Sequence, residues 1–103
     1  MEGAMKNIML VCNAGMSTSM LVQKMKEAAK TLGNEISIGA VAEADLANHA
    51  EGVDVLLLGP QIRFKLDEIK KNYEPKGIKV ALIDQVDYGR MNGEKVLNMA
   101  LAL

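Results

Sequence analysis

Four short apolar runs, each followed by a segment with helical periodicity, limit what this chain can fold into. The runs span residues 6–11, 36–41, 53–58 and 78–83, and we predict them as strands. Alternating strands and helices, without a linker or internal repeat, favour a parallel sheet covered by helices on both faces and built from right-handed crossovers. Ligands of such sheets bind beyond the carboxyl ends of the strands. A functional site is therefore expected in the loops that follow the strands.

The segments between the runs predict helices of different strength. The clearest spans residues 17–32 and ends at the Gly33-Asn34 stop signal. Its apolar stripe consists of Leu21, Met25, Ala28 and Leu32. A weaker helix is predicted at residues 44–50. Another follows the break at residues 59–61, with a stripe formed by Ile62, Leu66, Ile69 and Tyr73. Residues 84–89 are predicted as a loop, followed by a helix at residues 94–101 that Asn92 can cap.

The composition of the 103 residues is that of an ordinary soluble domain, with 50% hydrophobic and 24% charged residues. A net charge of −1 gives no electrostatic footprint for nucleic acid or an anionic membrane surface. One cysteine and one histidine cannot form a disulfide or a structural zinc site, and no run is long enough to span a membrane. We expect a cytoplasmic protein without metal or cofactor. Its one domain is expected at residues 5–103, after a leader or frayed end at residues 1–4.

The most unusual stretch follows the first predicted strand. It reads Cys12-Asn13-Ala14-Gly15-Met16-Ser17-Thr18-Ser19, so the only cysteine precedes a small loop and three hydroxyl residues. This order places the thiol beside the amino end of a helix, where orphan backbone N–H groups and the helix dipole attract anions. The same field favours a thiolate, so we expect Cys12 to be unusually reactive. Each feature alone would fit a buried cysteine and a helix cap, but together they favour a phosphate-binding loop.

Several kinds of phosphate site can be compared with these residues. The chain lacks the Gly-Lys-Ser/Thr triplet of a P-loop, and Gly15 stands alone where a dinucleotide fingerprint has three glycines. A low-molecular-mass cysteine phosphatase clamps the phosphoryl group with an arginine, and Thr18 stands at that position. Residues 10–22 contain no basic residue at all. The loop therefore favours a phosphoryl carrier, while a phosphatase-like hydrolase and a flavin- or anion-binding module remain as alternatives.

The loop at residues 12–19 resembles that of the enzyme IIB components of the phosphoenolpyruvate-dependent sugar phosphotransferase system, lactose/cellobiose type. The resemblance continues in Leu58-Gly59-Pro60-Gln61-Ile62 after the third predicted strand and in Tyr88-Gly89 after the fourth. It covers the chain from Met5 onward. It implies an α/β fold with a four-stranded parallel sheet of order 2-1-3-4 and helices on both faces. That fold is similar to the low-molecular-mass tyrosine phosphatase and flavodoxin-like open sandwich.

The resemblance also implies a phosphotransferase function. In this family the loop cysteine accepts a phosphoryl group from a phosphohistidine of the soluble IIA component and passes it to a sugar bound in the membrane component IIC. By this match Cys12 is the acceptor, and backbone amides from Asn13 to Ser19 hold the phosphate. Gln61 and Tyr88 are candidates for supporting roles, whereas His49 is given none. The implied sugar is a β-disaccharide of the cellobiose, lactose or chitobiose class, and docking on IIC at the inner face of the membrane is implied. The oligomeric state is left open, with a monomer favoured.

Overall fold

In the computed structural model, the four predicted strands form one parallel sheet. The structure describes residues 6–12, 16–33 and 36–103. Strands β1 (Lys6–Cys12), β2 (Ile36–Ala42), β3 (Val55–Leu58) and β4 (Lys79–Leu82) lie in the order β2-β1-β3-β4. This confirms the predicted parallel sheet and its order. The predicted leader at residues 1–4 and the loop residues 13–15 lie outside the described residues.

The two central strands, β1 and β3, are apolar on both faces. All four residues of β3 are buried, with Val55 and Leu57 in one layer and Leu56 and Leu58 in the other. This two-residue alternation is that of a strand covered on both sides. β1 pairs with β3, and β3 pairs with β4, in parallel registers. The carboxyl ends of β1, β3 and β4 therefore lie side by side, at what we term the carboxyl edge of the sheet.

Helices cover both faces of the sheet. On one face lie α1 (Met16–Leu32) and α5 (Gly93–Leu101), and on the other lie the short α2 (Leu46–His49) and α3 (Leu66–Tyr73). A further short helix, α4 (Gln85–Gly89), adds Tyr88 to the layer of α1 and α5. Turns of 3₁₀ helix occupy Glu43–Asp45 before α2 and Pro60–Lys65 before α3. In the part of the chain that the structure describes, none of the helices has the length and apolar character required to cross a bilayer.

The prediction of a loop at residues 84–89 is wrong, because Gln85–Gly89 forms α4 and Asp84 is its N-cap. The Asp84 side chain accepts hydrogen bonds from the backbone amides of Val86 and Asp87, at 3.0 and 3.2 Å. This N-cap stabilises a helix too short for its periodicity to be visible in the sequence. The predicted Asn92 cap is confirmed, since its side chain accepts a hydrogen bond from the Lys95 amide.

The prediction that the apolar stripe of α1 is buried along its whole length is wrong at Leu32. Leu21 and Met25 are buried, but Leu32 is 46% exposed. Leu32 is the last residue of α1 and lies beyond the turns that pack on the sheet. The helix ends where the sequence predicted, at Gly33, which has a left-handed φ of 73°.

The helix predicted to begin directly after residues 59–61 instead starts as a 3₁₀ turn. Its backbone is α-helical only from Leu66 onward, and Ile62 has non-helical φ and ψ angles. Ile62 is nevertheless buried, as its predicted place in an apolar stripe required. The weaker helix predicted at residues 44–50 is likewise shorter than expected, since only Leu46–His49 is α-helical.

α1 and α5 come into close contact at Gly93, the first residue of α5. A β-carbon at this position would lie 2.5 Å from both the carbonyl carbon of Lys24 and the amide nitrogen of Met25. Side-chain carbons do not come this close to backbone atoms, so the contact requires glycine. The contact allows α1 and α5 to pack closely side by side on the same face of the sheet.

Candidate functional site

The candidate site is centred on Cys12, the last residue of β1. Its side chain is 2% exposed and forms no disulfide. β1 lies between β2 and β3; Cys12 is paired with Ala42 of β2, and the preceding residue, Val11, is also paired with Leu58 of β3. α1 begins at Met16, and its first amides have no partners within the helix. The thiol therefore lies just before the amino end of the longest helix in the described part of the chain, as the sequence predicted.

The candidate phosphate-binding residues are described only in part. Asn13, Ala14 and Gly15 lie outside the described residues, and only the helical backbone is described for Met16 and Ser17. Thr18 is buried and Ser19 is exposed. Residues 16–19 form the first turn of α1, and the backbone N–H groups of this turn point toward the amino end of the helix.

Thr18 and Tyr88 meet through their side chains, although 70 residues separate them in the chain. Their hydroxyl oxygens lie 3.3 Å apart in a buried hydrogen bond. The Tyr88 ring packs in the layer of α1 and α5, and α4 holds it there. The bond therefore connects the first turn of α1 to the helix that follows β4. Thr18, the residue at the arginine position of the phosphatases, has its side chain directed into the protein.

The residues after β3 complete this edge. The Gly59 amide donates a 2.8 Å hydrogen bond to the carbonyl oxygen of Val11, the residue before Cys12. A β-carbon at Gly59 would lie 2.7 Å from Oε1 of Gln61 and 3.7 Å from the Tyr88 ring. The exposed Gln61 side chain therefore lies close over Gly59. The structure brings Gln61 and Tyr88 together beside the end of β1, as their positions after two adjacent strands predicted.

A surface cavity of about 560 Å³ lies between the 3₁₀ turn after β3 and helix α4. Its lining residues are Pro60, Gln61, Arg63, Gln85, Tyr88 and Gly89. The carboxylates of α4 and its cap are already engaged: Asp84 accepts two backbone amides, and Asp87 lies 3.5 Å from Nζ of Lys95. Within the described residues, no three His, Cys, Asp or Glu side chains are placed to hold a metal ion. The chemistry at this edge therefore depends on the thiol, backbone amides, hydroxyls and Arg63.

Comparison with protein families identifies the chain. The family described as "PTS system, Lactose/Cellobiose specific IIB subunit" matches residues 7–99. The chain belongs to this family. IIB components act as phosphotransferases in sugar transport, together with IIA and IIC components. The resemblance predicted from the loop and the two later motifs is confirmed.

Relatives of known name agree with this assignment. The oligo-beta-mannoside-specific EIIB component of Bacillus subtilis is 41% identical over 99 residues, 96% of each chain. The galactose-specific EIIB component of Lactococcus lactis subsp. cremoris is 46% identical over 100 residues, 92% of this chain and 93% of the relative. The solution structure of a cellobiose-specific IIB component from Borrelia burgdorferi, 46% identical, superposes with a TM-score of 0.79 over 96% of this chain and 91% of that one. These names differ in sugar although the proteins are similarly related to this IIB component.

Sequence analysis missed two features of this edge. It gave no role to Arg63 or Phe64, which lie on the 3₁₀ turn after β3, where Arg63 lines the cavity and Phe64 is exposed. It also missed α4. Asp84 was a usable signal for this helix, because aspartate is a preferred N-cap residue and the two residues that follow it show no strand pattern. No sequence signal could have paired Thr18 with Tyr88, because the contact depends on how two helices pack.

Proposed function

We propose that this IIB component is a phosphoryl carrier in which Cys12 is the acceptor. The observation that carries the proposal is the place of Cys12, at the end of a central strand and directly before the amino end of α1. An anion attached to the sulfur is favoured there by backbone N–H groups and by the helix dipole. The nucleophile is the thiolate, as in other cysteine-dependent transfer reactions.

The proposed reaction has two displacements at phosphorus. The Cys12 thiolate attacks the phosphorus of a phosphohistidine on IIA, the N–P bond breaks, and the released imidazole nitrogen keeps the electron pair and takes up a proton. A hydroxyl of the sugar in IIC then attacks the same phosphorus and loses its proton to a base. The S–P bond breaks, and the electron pair returns to sulfur as a thiolate. No step needs a metal or cofactor from this chain.

The backbone amides of Asn13 to Ser19 hold the phosphoryl group in this proposal, with the loop hydroxyls other than that of Thr18 as further donors. Residues 10–22 contain no lysine or arginine to add charge. A site of dipoles holds the group without the arginine that accelerates hydrolysis in cysteine phosphatases. Gln61, which lies over Gly59, and Tyr88, which bonds Thr18, support the loop from the neighbouring strands.

The proposed acceptor is a β-disaccharide of the cellobiose, lactose or chitobiose class, bound in IIC. The protein acts in the cytoplasm and docks on IIC at the inner face of the membrane. The printed names of the relatives include an oligo-beta-mannoside, galactose and cellobiose. IIC binds the sugar, so this chain contributes the phosphoryl group and not the sugar selectivity.

The proposal is tested by incubating the protein with phosphorylated IIA and locating the product by mass spectrometry. One phosphoryl group on Cys12, transferred onward when membranes with IIC and sugar are added, is the expected result. A phosphoryl group on another residue, or none on the protein, would contradict the proposal. Binding of phosphate without covalent transfer would favour an anion-binding module.

We expect negligible phosphatase turnover from the free protein. Thr18 occupies the arginine position of the phosphatases, and its side chain is buried against Tyr88. No cation is therefore available in the loop to offset charge in the transition state of hydrolysis. Release of an aryl alcohol from an aryl phosphate measures this turnover. Sustained turnover that disappears in Cys12→Ser would favour the hydrolase instead.

We expect Tyr88→Phe to slow phosphoryl acceptance by about 2-fold to 10-fold, since one net hydrogen bond contributes about 0.5–1.5 kcal/mol. The variant keeps the buried ring and removes only the hydroxyl that bonds Thr18. The first turn of α1 is then less firmly held, so the rate at saturating phosphorylated IIA falls while KM changes little. Thr18→Val removes the other hydroxyl of this hydrogen bond and should give the same loss. Thr18→Ser keeps a hydroxyl at this position and should retain most activity. Unchanged rates in both Tyr88→Phe and Thr18→Val would remove this bond from the mechanism.

A further inference from the structure

Exposed apolar side chains are concentrated at the carboxyl edge. Among the described residues, Phe64 is 76% exposed, Met20 60% and Val86 57%. Met20 lies in the second turn of α1, after β1; Phe64 lies on the 3₁₀ turn after β3; and Val86 lies on α4, after β4. The other large exposed apolar side chains, Leu32 and Leu103, lie at the end of α1 and at the end of the chain. Apolar groups collected on one edge are typical of a protein interface.

The cavity bordered by the segments that carry Phe64 and Val86 also holds a positive charge. Arg63 lines the cavity and is exposed. Its neighbour Lys65 is paired with Glu43 at 3.2 Å, whereas no carboxylate in the described residues is paired with Arg63. The two acidic residues nearest in α4 and its cap are engaged with backbone amides and with Lys95. The cavity therefore presents an exposed guanidinium, carried by the residue that precedes Phe64 in the chain.

We propose that Arg63, which lines this cavity, and the exposed side chains of Phe64 and Val86, on the two segments that border it, bind the phosphorylated form of IIA. The proposal rests on the phosphoryl relay through Cys12. A histidine of the donor must reach the carboxyl edge to transfer its phosphoryl group, so the donor covers the side chains that surround this edge. Phe64 supplies a large apolar anchor of the kind that dominates interface energies. The cavity adjoins Tyr88, whose hydroxyl bonds the first turn of α1.

The charge of Arg63 selects between the two partners of the relay. The donor arrives with a negatively charged phosphohistidine, and an exposed guanidinium attracts it and accelerates association. The sugar in IIC carries no such charge, and in that step the phosphoryl group is already on this protein. Arg63 therefore favours phosphorylated over unphosphorylated IIA. It helps release IIA after transfer, because the donor has then lost the charge that Arg63 attracts.

The first test is Phe64→Ala in the transfer from phosphorylated IIA to Cys12. We expect KM for phosphorylated IIA to rise by about 10-fold or more, as for an interface anchor, with the rate at saturating donor nearly unchanged. Phe64 is exposed, so the melting temperature should stay the same. Leu32→Ala is the matched control, because it removes another exposed apolar side chain, at the end of α1, and should leave KM unchanged.

The second test is Arg63→Gln, measured at low and high salt. We expect KM for phosphorylated IIA to rise several-fold at low ionic strength and the difference from the native protein to shrink at high salt, because salt screens exposed charges. Affinity for unphosphorylated IIA should change less. Lys71→Gln, which removes an exposed charge on α3, is the matched control and should leave both values unchanged.

The outcomes separate this inference from the proposed relay. An unchanged KM in both Phe64→Ala and Arg63→Gln, with Cys12 still phosphorylated, would overturn the docking surface and leave the relay intact. A raised KM only in the second step, measured with membranes containing IIC and sugar, would assign the surface to IIC and also overturn the inference. If the native protein accepts no phosphoryl group from IIA, both proposals fall.

Discussion

Cys12→Ser is expected to accept no phosphoryl group from phosphorylated IIA while it remains folded. A serine hydroxyl is a poor nucleophile near neutral pH unless an adjacent base activates it. The side chains that the structure places beside the end of β1 include the hydroxyls of Thr18 and Tyr88 and the Gln61 amide, none of which is a base at neutral pH. Glu43, which follows the β2 residue paired with Cys12, is engaged in an ion pair with Lys65. Intact mass spectrometry of native and variant protein after incubation with phosphorylated IIA measures the loss. A melting curve close to that of the native protein shows that the variant is folded.

His49→Gln is the matched control for this loss. Histidine is the other side chain that commonly carries a phosphoryl group, and His49 is the only one in the chain. It lies at the end of α2 and lines a small groove with Asn7 and Ser37, at the amino ends of β1 and β2. We expect His49→Gln to be phosphorylated like the native protein. Acceptance by Cys12→Ser that disappears in the double variant would assign the phosphoryl group to His49 and contradict the proposed role of Cys12.

Gly93→Ala is expected to be the most destabilising small substitution in the packing of α1 and α5. The added methyl group would lie 2.5 Å from backbone atoms of Lys24 and Met25, which cannot rotate away as a side chain could. The two helices must separate, and overpacking of this kind costs about 3 kcal/mol. For a domain of this size the melting temperature should fall by at least roughly 10 °C. Thermal unfolding followed by circular dichroism measures the change.

Gly89→Ala provides the comparison for Gly93→Ala. Gly89 is also helical, in α4, but no atom lies within 4 Å of its added β-carbon. Replacing an open helical glycine with alanine favours the folded state by up to about 1 kcal/mol, because it lowers the entropy of the unfolded chain. We expect equal or slightly higher stability in this variant. Similar losses at both positions would show that helix propensity, and not the close approach at Gly93, determines the effect.

The features that sequence could predict are those set by local pattern. Val55 to Leu58 is apolar at every position, which requires a strand covered on both faces, and Gly33 tolerates the left-handed conformation that ends α1. The place of Cys12 follows from the same patterns, because a strand, a short loop and a helix leave few geometries for the residue between them. The carboxyl edge was therefore predictable together with the thiol at its centre.

The features that sequence could not predict depend on contacts between distant elements. The hydroxyl of Thr18 could have faced the phosphate or the protein interior, and only the position of Tyr88 on α4 directs it inward. Leu32 has the spacing of a core residue, but burial also requires that the helix still lies over the sheet at that turn. The 3₁₀ turn at Pro60–Lys65 interrupts the helical spacing expected after residue 61.

The strand order has a consequence for how the protein is made. β1 is synthesised before the other strands of the sheet but is a central strand of the finished sheet, so both of its neighbours are synthesised after it. Its carboxyl end gains its second neighbour only when Leu58 has been added, and Thr18 gains its hydroxyl partner only with Tyr88. Until then the strand that bears Cys12 keeps an unpaired edge. A nascent chain therefore carries its thiol before the rest of the candidate site, which is complete only once Tyr88 has been added.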